Sequence, residues 1–339
     1  MTARDNVVTA KSVAHETHTQ VPGLVLRPFD LEDDIAEFVD MVVETHLASG
    51  VDWLPTVDQF RNDTIHRANF DPALDIVVAE IDGRIVGGAE THLEVRDGIA
   101  VHQQEGWVRP AFRRRGIGRA LLEHAEQRGR DVAADWPGDE PHAFNAWAND
   151  TETDAIGLLE ASGYDRVRYG FMMVRSLSDP IADAPLPKGL EIRPVREEDH
   201  RRIWDADCEA FLDHWGSYQR TEEDRESWFG TPELDTTLWK VAWAGDEVAG
   251  SVMSFIFDEE NERLGVRRGW LEHISVRRPW RRRGVASALI VESLHVLRER
   301  GMEEAALGVD AENLSGALRL YESHGFHRHR TGIAFRKHF

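Results

Sequence analysis

Val108-Arg-Pro-Ala-Phe-Arg-Arg-Arg-Gly-Ile-Gly118 and Val276-Arg-Arg-Pro-Trp-Arg-Arg-Arg-Gly-Val-Ala286 share one pattern: a valine ending a β-rich run, three arginines beginning five residues later, then small residues at the start of a helical run. Small residues at 116 and 118, and at 284 and 286, let the backbone turn tightly and approach a ligand. The N-terminus of the following helix presents unpaired amides at the positive end of its dipole. That combination suits phosphate, and the arginines at 113–115 and 281–283 add cations to it. Other phosphate loops are unsupported. No Gly-x-x-x-x-Gly-Lys-Ser/Thr run occurs, and Gly116-Ile-Gly118 continues as Arg119-Ala120-Leu121, which breaks the dinucleotide fingerprint.

The duplication extends outward from these loops. The two valines are 168 residues apart; Gly23-Leu-Val-Leu-Arg-Pro-Phe-Asp30 returns 166 residues later as Gly189-Leu-Glu-Ile-Arg-Pro-Val-Arg196, and Leu159-Glu-Ala-Ser-Gly-Tyr164 returns 162 residues later as Tyr321-Glu-Ser-His-Gly-Phe326. Three landmarks in one order indicate two copies of one fold. Ser176 to Gly189 holds three prolines among small polar residues and reads as an extended linker with the boundary near residue 182. The expected division is a polar tail over 1–20, a first domain over 21–177, a linker over 178–188 and a second domain over 189–339.

Within each copy the pattern predicts a strand, two helices, a hairpin, a strand, a helix, a strand, a helix and two closing strands. Asp82-Gly83 and Gly245-Asp246 mark the hairpin turns, and apolar residues recur at helical spacing over 116–129 and 284–301. The fold class is mixed α/β, with the informative loop at a strand-to-helix junction.

Length and composition agree. A chain of 339 residues suits two domains, and 41% hydrophobic with 30% charged residues is a globular composition. With 40 Lys+Arg against 61 Asp+Glu the net charge is −21, which opposes attraction to nucleic acid or anionic lipid. The single cysteine, Cys208, forms no internal disulfide and no thiolate metal cluster; it reads as a small core residue. No apolar run approaches a membrane span and the N-terminus lacks a signal pattern, so the expected location is the cytoplasm, as a monomer or homodimer with no metal.

The Arg-x-x-Gly-x-Gly/Ala loop after a strand ending in Val resembles the acetyl-CoA signature of the GCN5-related N-acetyltransferase (GNAT) superfamily. A second family element, Asn-x-x-x-Ala-x-x-x-Tyr-x-x-x-Gly-Phe, is matched by Asn313, Ala317, Tyr321, Gly325 and Phe326. The resemblance covers nearly the whole chain, twice. It implies two tandem GNAT folds, each a mixed, mostly antiparallel twisted sheet flanked by helices, with acetyl-CoA as co-substrate. It further implies that Ile274 and Val276 pair with the pantetheine arm, and that Arg281, Arg282, Arg283, Gly284, Val285, Ala286 and Ser287 hold the pyrophosphate, with Asn313 nearby. In the first copy the matching positions are Val108, Arg113, Arg114, Arg115, Gly116, Ile117 and Gly118.

Acyl transfer to an amine needs a route for the amine's proton and a donor for the departing thiolate. By the resemblance Tyr321 is that donor; the same register in the first copy is Leu159, which has no proton to give, and Thr151 stands at the register of Asn313. Strand alternation sets Trp270, Glu272, Ile274 and Val276 on one face, and Leu271, His273 and Ser275 on the other. Glu272 is therefore the expected base or amine-orienting carboxylate, and His273 is read as structural. Counting back from Val108 sets Gln104 against Glu272, so the first domain is expected to be non-catalytic. Asp213, His214 and Trp215, between the first two helices of the second copy, are candidate contacts for a cationic small-molecule amine; the competing reading is a solvated acidic helix start capped by Thr221. The tandem arrangement resembles that of mycothiol synthases, although no residue singles out their acceptor. A non-catalytic acyl-CoA-binding sensor is the alternative from another class.

Overall fold

The computed structural model describes residues 21–217, 220–312 and 316–339. They form two compact units: unit 1 takes the described residues up to Val167 together with Ile333–Phe339, and unit 2 takes Arg168–Gly332. The first half of the chain runs β1 (Leu24–Pro28), α1 (Ile35–Ser49), α2 (Val57–His66), α3 (Pro72–Asp75), β2 (Ile76–Ile81), β3 (Arg84–Arg96), β4 (Ile99–Val108), α4 (Ile117–Ala134), β5 (His142–Asn149), α5 (Thr153–Ala161) and β6 (Asp165–Ser176). The second half repeats the series as β7 (Glu191–Arg193), α6 (His200–Phe211), α7 (Glu222–Gly230), β8 (Lys240–Ala244), β9 (Glu247–Phe255), α8 (Asp258–Leu264), β10 (Arg268–Val276), α9 (Val285–Glu299), β11 (Glu304–Asp310), α10 (Ala317–Ser323) and β12 (His327–His338).

Local chemistry sets these bounds. Thr56 caps α2 in a reciprocal box with Gln59, and Thr221 caps α7 with Asp224, so the predicted cap at Thr221 is present. Asp82 and Gly83 both take positive φ in the β2–β3 turn, the conformation a two-residue hairpin loop demands.

Each unit is a mixed, mostly antiparallel sheet flanked by helices. In unit 1 the order is β1-β2-β3-β4-β5, and in unit 2 it is β7-β8-β9-β10-β11-β6. The ladders described are antiparallel except β4 with β5 and β10 with β11. In unit 1, Phe29, Phe38, Phe60 and Trp107 fill the side covered by α1 and α2, while Val77, Ala79, Ile117 and Leu121 pack under α4 on the other. Unit 2 repeats this with Ile203, Trp239, Met253 and Phe255 on the α6–α7 side, and Leu271, Val285, Leu289 and Leu294 on the α9 side.

Two expectations about boundaries differ from the structure. Each half of the sequence contributes one closing strand, not two, and the compact units are not cut at the linker. Gly170 to Ser176 of β6 pair with β11 in unit 2, and Phe335 and Ile333 of β12 pack with Phe144 and Tyr164 in unit 1. A cut read from composition finds the prolines but is blind to which sheet a short apolar strand joins.

Candidate active site

A notch opens in each sheet where a parallel pair separates. In unit 2, β10 pairs with β11 only from Arg268 to Trp270, leaving Leu271 to Val276 without that neighbour. In unit 1 the β4–β5 pairing continues to Gln104 opposite Ala146, and Glu105 to Val108 run on without β5. The unpaired backbone beyond each split is available to an extended ligand.

The loops after these strands are built alike. Gly116 and Gly284 cap α4 and α9 with φ of 95° and 87°, and the residue two before each, Arg114 and Arg282, also takes positive φ. This left-handed geometry is costly for a side-chain-bearing residue, and it folds successive amides toward the helix end. The three arginines do different work. Arg281 donates to the Val276 and Ala210 carbonyls at 2.9 and 3.1 Å, and Arg113 donates to the Val108 and Thr45 carbonyls at 3.2 and 3.1 Å; these two brace the loop against the preceding strand and helix. Arg282, Arg283, Arg114 and Arg115 lie further out on the loop surface.

Asp213, expected near the acceptor, belongs instead to this basic loop. It is ion-paired with Arg278 and, at 2.6 Å, with Arg281, and both hold its carboxyl below the usual carboxylate range. Its negative charge is met by guanidinium groups within hydrogen-bond reach, which outcompete a more distant amine. His214 packs on Phe211 with ring centroids 4.4 Å apart, and Trp215 lies under Arg168 at 5.2 Å. Ser287, expected at the phosphate, bonds the His324 ring at 2.6 Å. Val285 and Ile117 are buried in the cores, so from these positions only backbone is available to a ligand. Asn313 lies outside the described residues.

The alternation expected along β10 fails at Glu272. The ladder pairs Ser254 with Leu271 and Met253 with His273, leaving Glu272 as the extra residue of a β-bulge. Leu271, Ile274 and Val276 therefore share the α9 side, whereas strict alternation sets Leu271 apart from the other two. His273 turns to the α6–α7 side, where its Nδ1 lies 2.8 Å from Asp207 of α6 and its ring stacks on Trp228 of α7 at 4.2 Å. Asp207 is fully buried; burial raises its carboxyl, but His273 and Arg220, the latter bonded at 2.7 Å, bring it to about 2. Glu272 stays open to solvent, yet the protein around the notch pushes its carboxyl up from the ordinary value, an effect the neighbouring His273 opposes.

The bulge also changes the comparison between halves. In unit 1 the β3–β4 ladder runs from Gly87↔Val108 to Arg96↔Ile99 without a shift, so Glu272 has no counterpart there. Gln104 corresponds to Leu271 and Glu105 to His273. Glu105 faces Glu90 directly across the ladder, and crowding together with that like charge pushes its carboxyl well above the usual range. It lines a cleft of about 610 Å³ that also takes in Trp107, Val108, Arg113, Arg114, Gly116, Gly118, Arg119, Thr151 and Leu159. Gln104 lines the same cleft; it is buried and its Oε1 has no partner among the described residues, while its amide donates to Thr91 at 2.6 Å. A cleft of this size, with a glycine-capped helix end, arginines and an unmet acceptor, fits a phosphate-bearing ligand with an amide-containing arm.

Tyr321, on α10, is 7% exposed among Val309, Phe326 and other core residues. Burial pushes its hydroxyl up to about 12, so the phenol keeps its proton near neutral pH. Leu159 is equally buried in unit 1.

With this geometry established, similarity to known proteins is decisive. The pattern of the acetyltransferase (GNAT) family matches residues 42–164 and again 200–326. The chain belongs to the acetyltransferase (GNAT) family. It is a tandem member, an N-acetyltransferase with the fold present twice. A mycothiol acetyltransferase of Salinispora arenicola is 30% identical over 90% of this chain and 94% of its own, and one from Geodermatophilus obscurus is 29% identical over 78% and 82%. Among solved structures, a GCN5-related N-acetyltransferase from Sphaerobacter thermophilus has TM-score 0.71 and 26% identity, covering 94% of this chain and 97% of that one. A tandem GNAT protein of the clavulanic acid pathway has TM-score 0.65 at 17% identity, covering 93% and 98%, and shares the fold. Among the described residues no group of three His, Cys, Asp or Glu gathers to hold a metal ion, and no helix is long and apolar enough to cross a membrane.

Proposed function

We propose that this acetyltransferase moves the acetyl group of acetyl-CoA to a primary amine of a small-molecule acceptor, with the chemistry in unit 2. The observation that carries this is the split of β10 from β11 beside a glycine-capped α9, with a proton-bearing Tyr321 on the helix that follows β11. The Gly284 loop and the α9 amides hold the pyrophosphate, and β10 beyond Trp270 offers its backbone to the pantetheine arm. Tyr321 gives its proton to the departing sulfur. Glu272, at the bulge, meets the acceptor's amine, and its charge favours a cationic acceptor. Unit 1 keeps a loop and cleft for the same nucleotide but has Leu159 at the register of Tyr321, so it binds and scaffolds and does not turn over.

The mycothiol acetyltransferases among its relatives make an amino-sugar conjugate of cysteine the first acceptor to try. Loss of the acetyl-CoA thioester absorbance, across a panel of that conjugate, aminoglycosides, polyamines and peptide N-termini, tests the reading. Turnover on at least one amine is expected. Tight CoA binding with no thioester lost on any amine refutes it and leaves an acyl-CoA-binding sensor.

A further inference from the structure

We propose that His273, not Glu272, takes the proton from the attacking amine, and that Asp207 holds it ready to do so; this rests on unit 2 being the acetyl-transfer centre. Four observations in unit 2 meet at this ring. The β10 bulge turns His273 to the α6–α7 side beyond the last residue paired with β11, so it borders the notch. Its Nδ1 lies 2.8 Å from a fully buried carboxylate, and because Asp207 is ionised it can only accept, so Nδ1 carries the hydrogen and Nε2 keeps the lone pair. Trp228 at 4.2 Å and Phe211 at 5.2 Å fix the ring plane. The side chain is nonetheless 18% exposed, and the hydrogen bond it makes to Asp207 is through Nδ1.

The chemistry balances. As the amine nitrogen bonds to the thioester carbonyl carbon, its N–H proton passes to Nε2. The C–S bond then breaks and the sulfur takes the proton of Tyr321. The imidazolium, stabilised by Asp207, returns its proton through solvent to the tyrosinate, so amine and thioester give amide and thiol. Glu272 then serves as the anion that draws in and orients the amine. The charged groups around this ring are Asp207 from α6, His214 and Arg220 from the segment after it, and Glu272 beside it on β10, while α7 contributes Trp228.

The test uses the full chain, acetyl-CoA and the best amine of the panel. His273→Ala and His273→Gln are each expected to lower kcat by roughly 10² to 10⁴ while acetyl-CoA binding, followed by calorimetry, is unchanged. Added imidazole should restore part of the His273→Ala rate, because the stacking face of Trp228 remains to receive it. Any acidic limb in the wild-type profile of kcat/KM against pH should be lost in His273→Gln. Asp207→Asn should fall between wild type and His273→Gln. Full wild-type rate in either His273 variant, or no imidazole rescue with the acidic limb retained in His273→Gln, overturns the assignment while leaving acetyl transfer intact. Absence of turnover by wild type on every amine overturns both.

Discussion

Lowering the pH from 7 to 5 should destabilise unit 1 through one ring. His102 of β4 is 1% exposed, packed between Phe144 and Phe339, and its Nε2 lies 3.0 Å from His142 Nδ1. Burial, and then the neighbouring His142, lower its pKa from 6.5 to about 4. Because the folded value lies below the unfolded one, the unfolded chain binds the extra proton first. The stability is therefore complete above pH 6.5 and is lost as pH falls toward 4. At 1.36 kcal/mol per decade, the loss from this group is about 2 kcal/mol between pH 7 and pH 5, and roughly 3 kcal/mol at still lower pH. The assay is urea unfolding of wild type and His102→Gln at both pH values, followed by circular dichroism and by hydrogen exchange of the β4 and β5 amides. The difference between the two pH dependences reports His102 together with its contact to His142. The reasoning is refuted if His102→Gln loses as much stability on acidification as wild type does.

Further outcomes follow from the same geometry. Tyr321→Phe keeps the buried ring and removes only the hydroxyl, so kcat should fall by one to three orders of magnitude with acetyl-CoA affinity unchanged, as loss of the thioester absorbance will show. Gly284→Ala imposes a side chain at φ of 87° and should weaken acetyl-CoA binding and turnover together; Gly116→Ala should leave turnover largely intact, and equal loss in both would contradict the division of labour between units. Gly88→Ala sets a Cβ 2.3 Å from the Phe38 ring in the unit 1 core and should cost about 1–3 kcal/mol in chemical denaturation with no effect on kcat in the surviving folded protein.

Much of the fold was legible because its signals are local. The paired Arg-Arg-Arg-Gly loops, the Asp82-Gly83 turn and the Thr221 cap each act within a few residues, and each stands where the sequence reading put it. The candidate site was legible in part. Tyr321 and the glycine at each helix end depend on spacing along one element, which sequence preserves. Glu272 and His273 depend on the register between two strands, and a single extra residue on β10 reverses every side assignment on one side of it. Nothing in Trp270-Leu-Glu-His-Ile274 announces a bulge. Asp207 was missed for a related reason: it is 66 residues from His273, and only α6 packing on β10 joins them. Asp213 shows that an acidic residue near arginines in space answers to them before it answers to any ligand.

The membership of Ile333–Phe339 in unit 1 has a consequence for how the chain is made. The aromatic stack of Phe144 on Phe339, 4.0 Å between centroids, and the Lys337–Glu126 ion pair at 2.8 Å close the core of a unit whose other residues precede 168. During synthesis, residues 21–167 therefore leave the ribosome with an unfinished sheet edge, and must wait for some 165 further residues before the closing segment arrives. For that interval, at about 5–20 residues per second, the first unit exposes the edge of β5 away from β4, which a chaperone or the β5 of another nascent chain can engage. Yield in the cell should then depend on translation speed through the second half, a property written into neither unit alone.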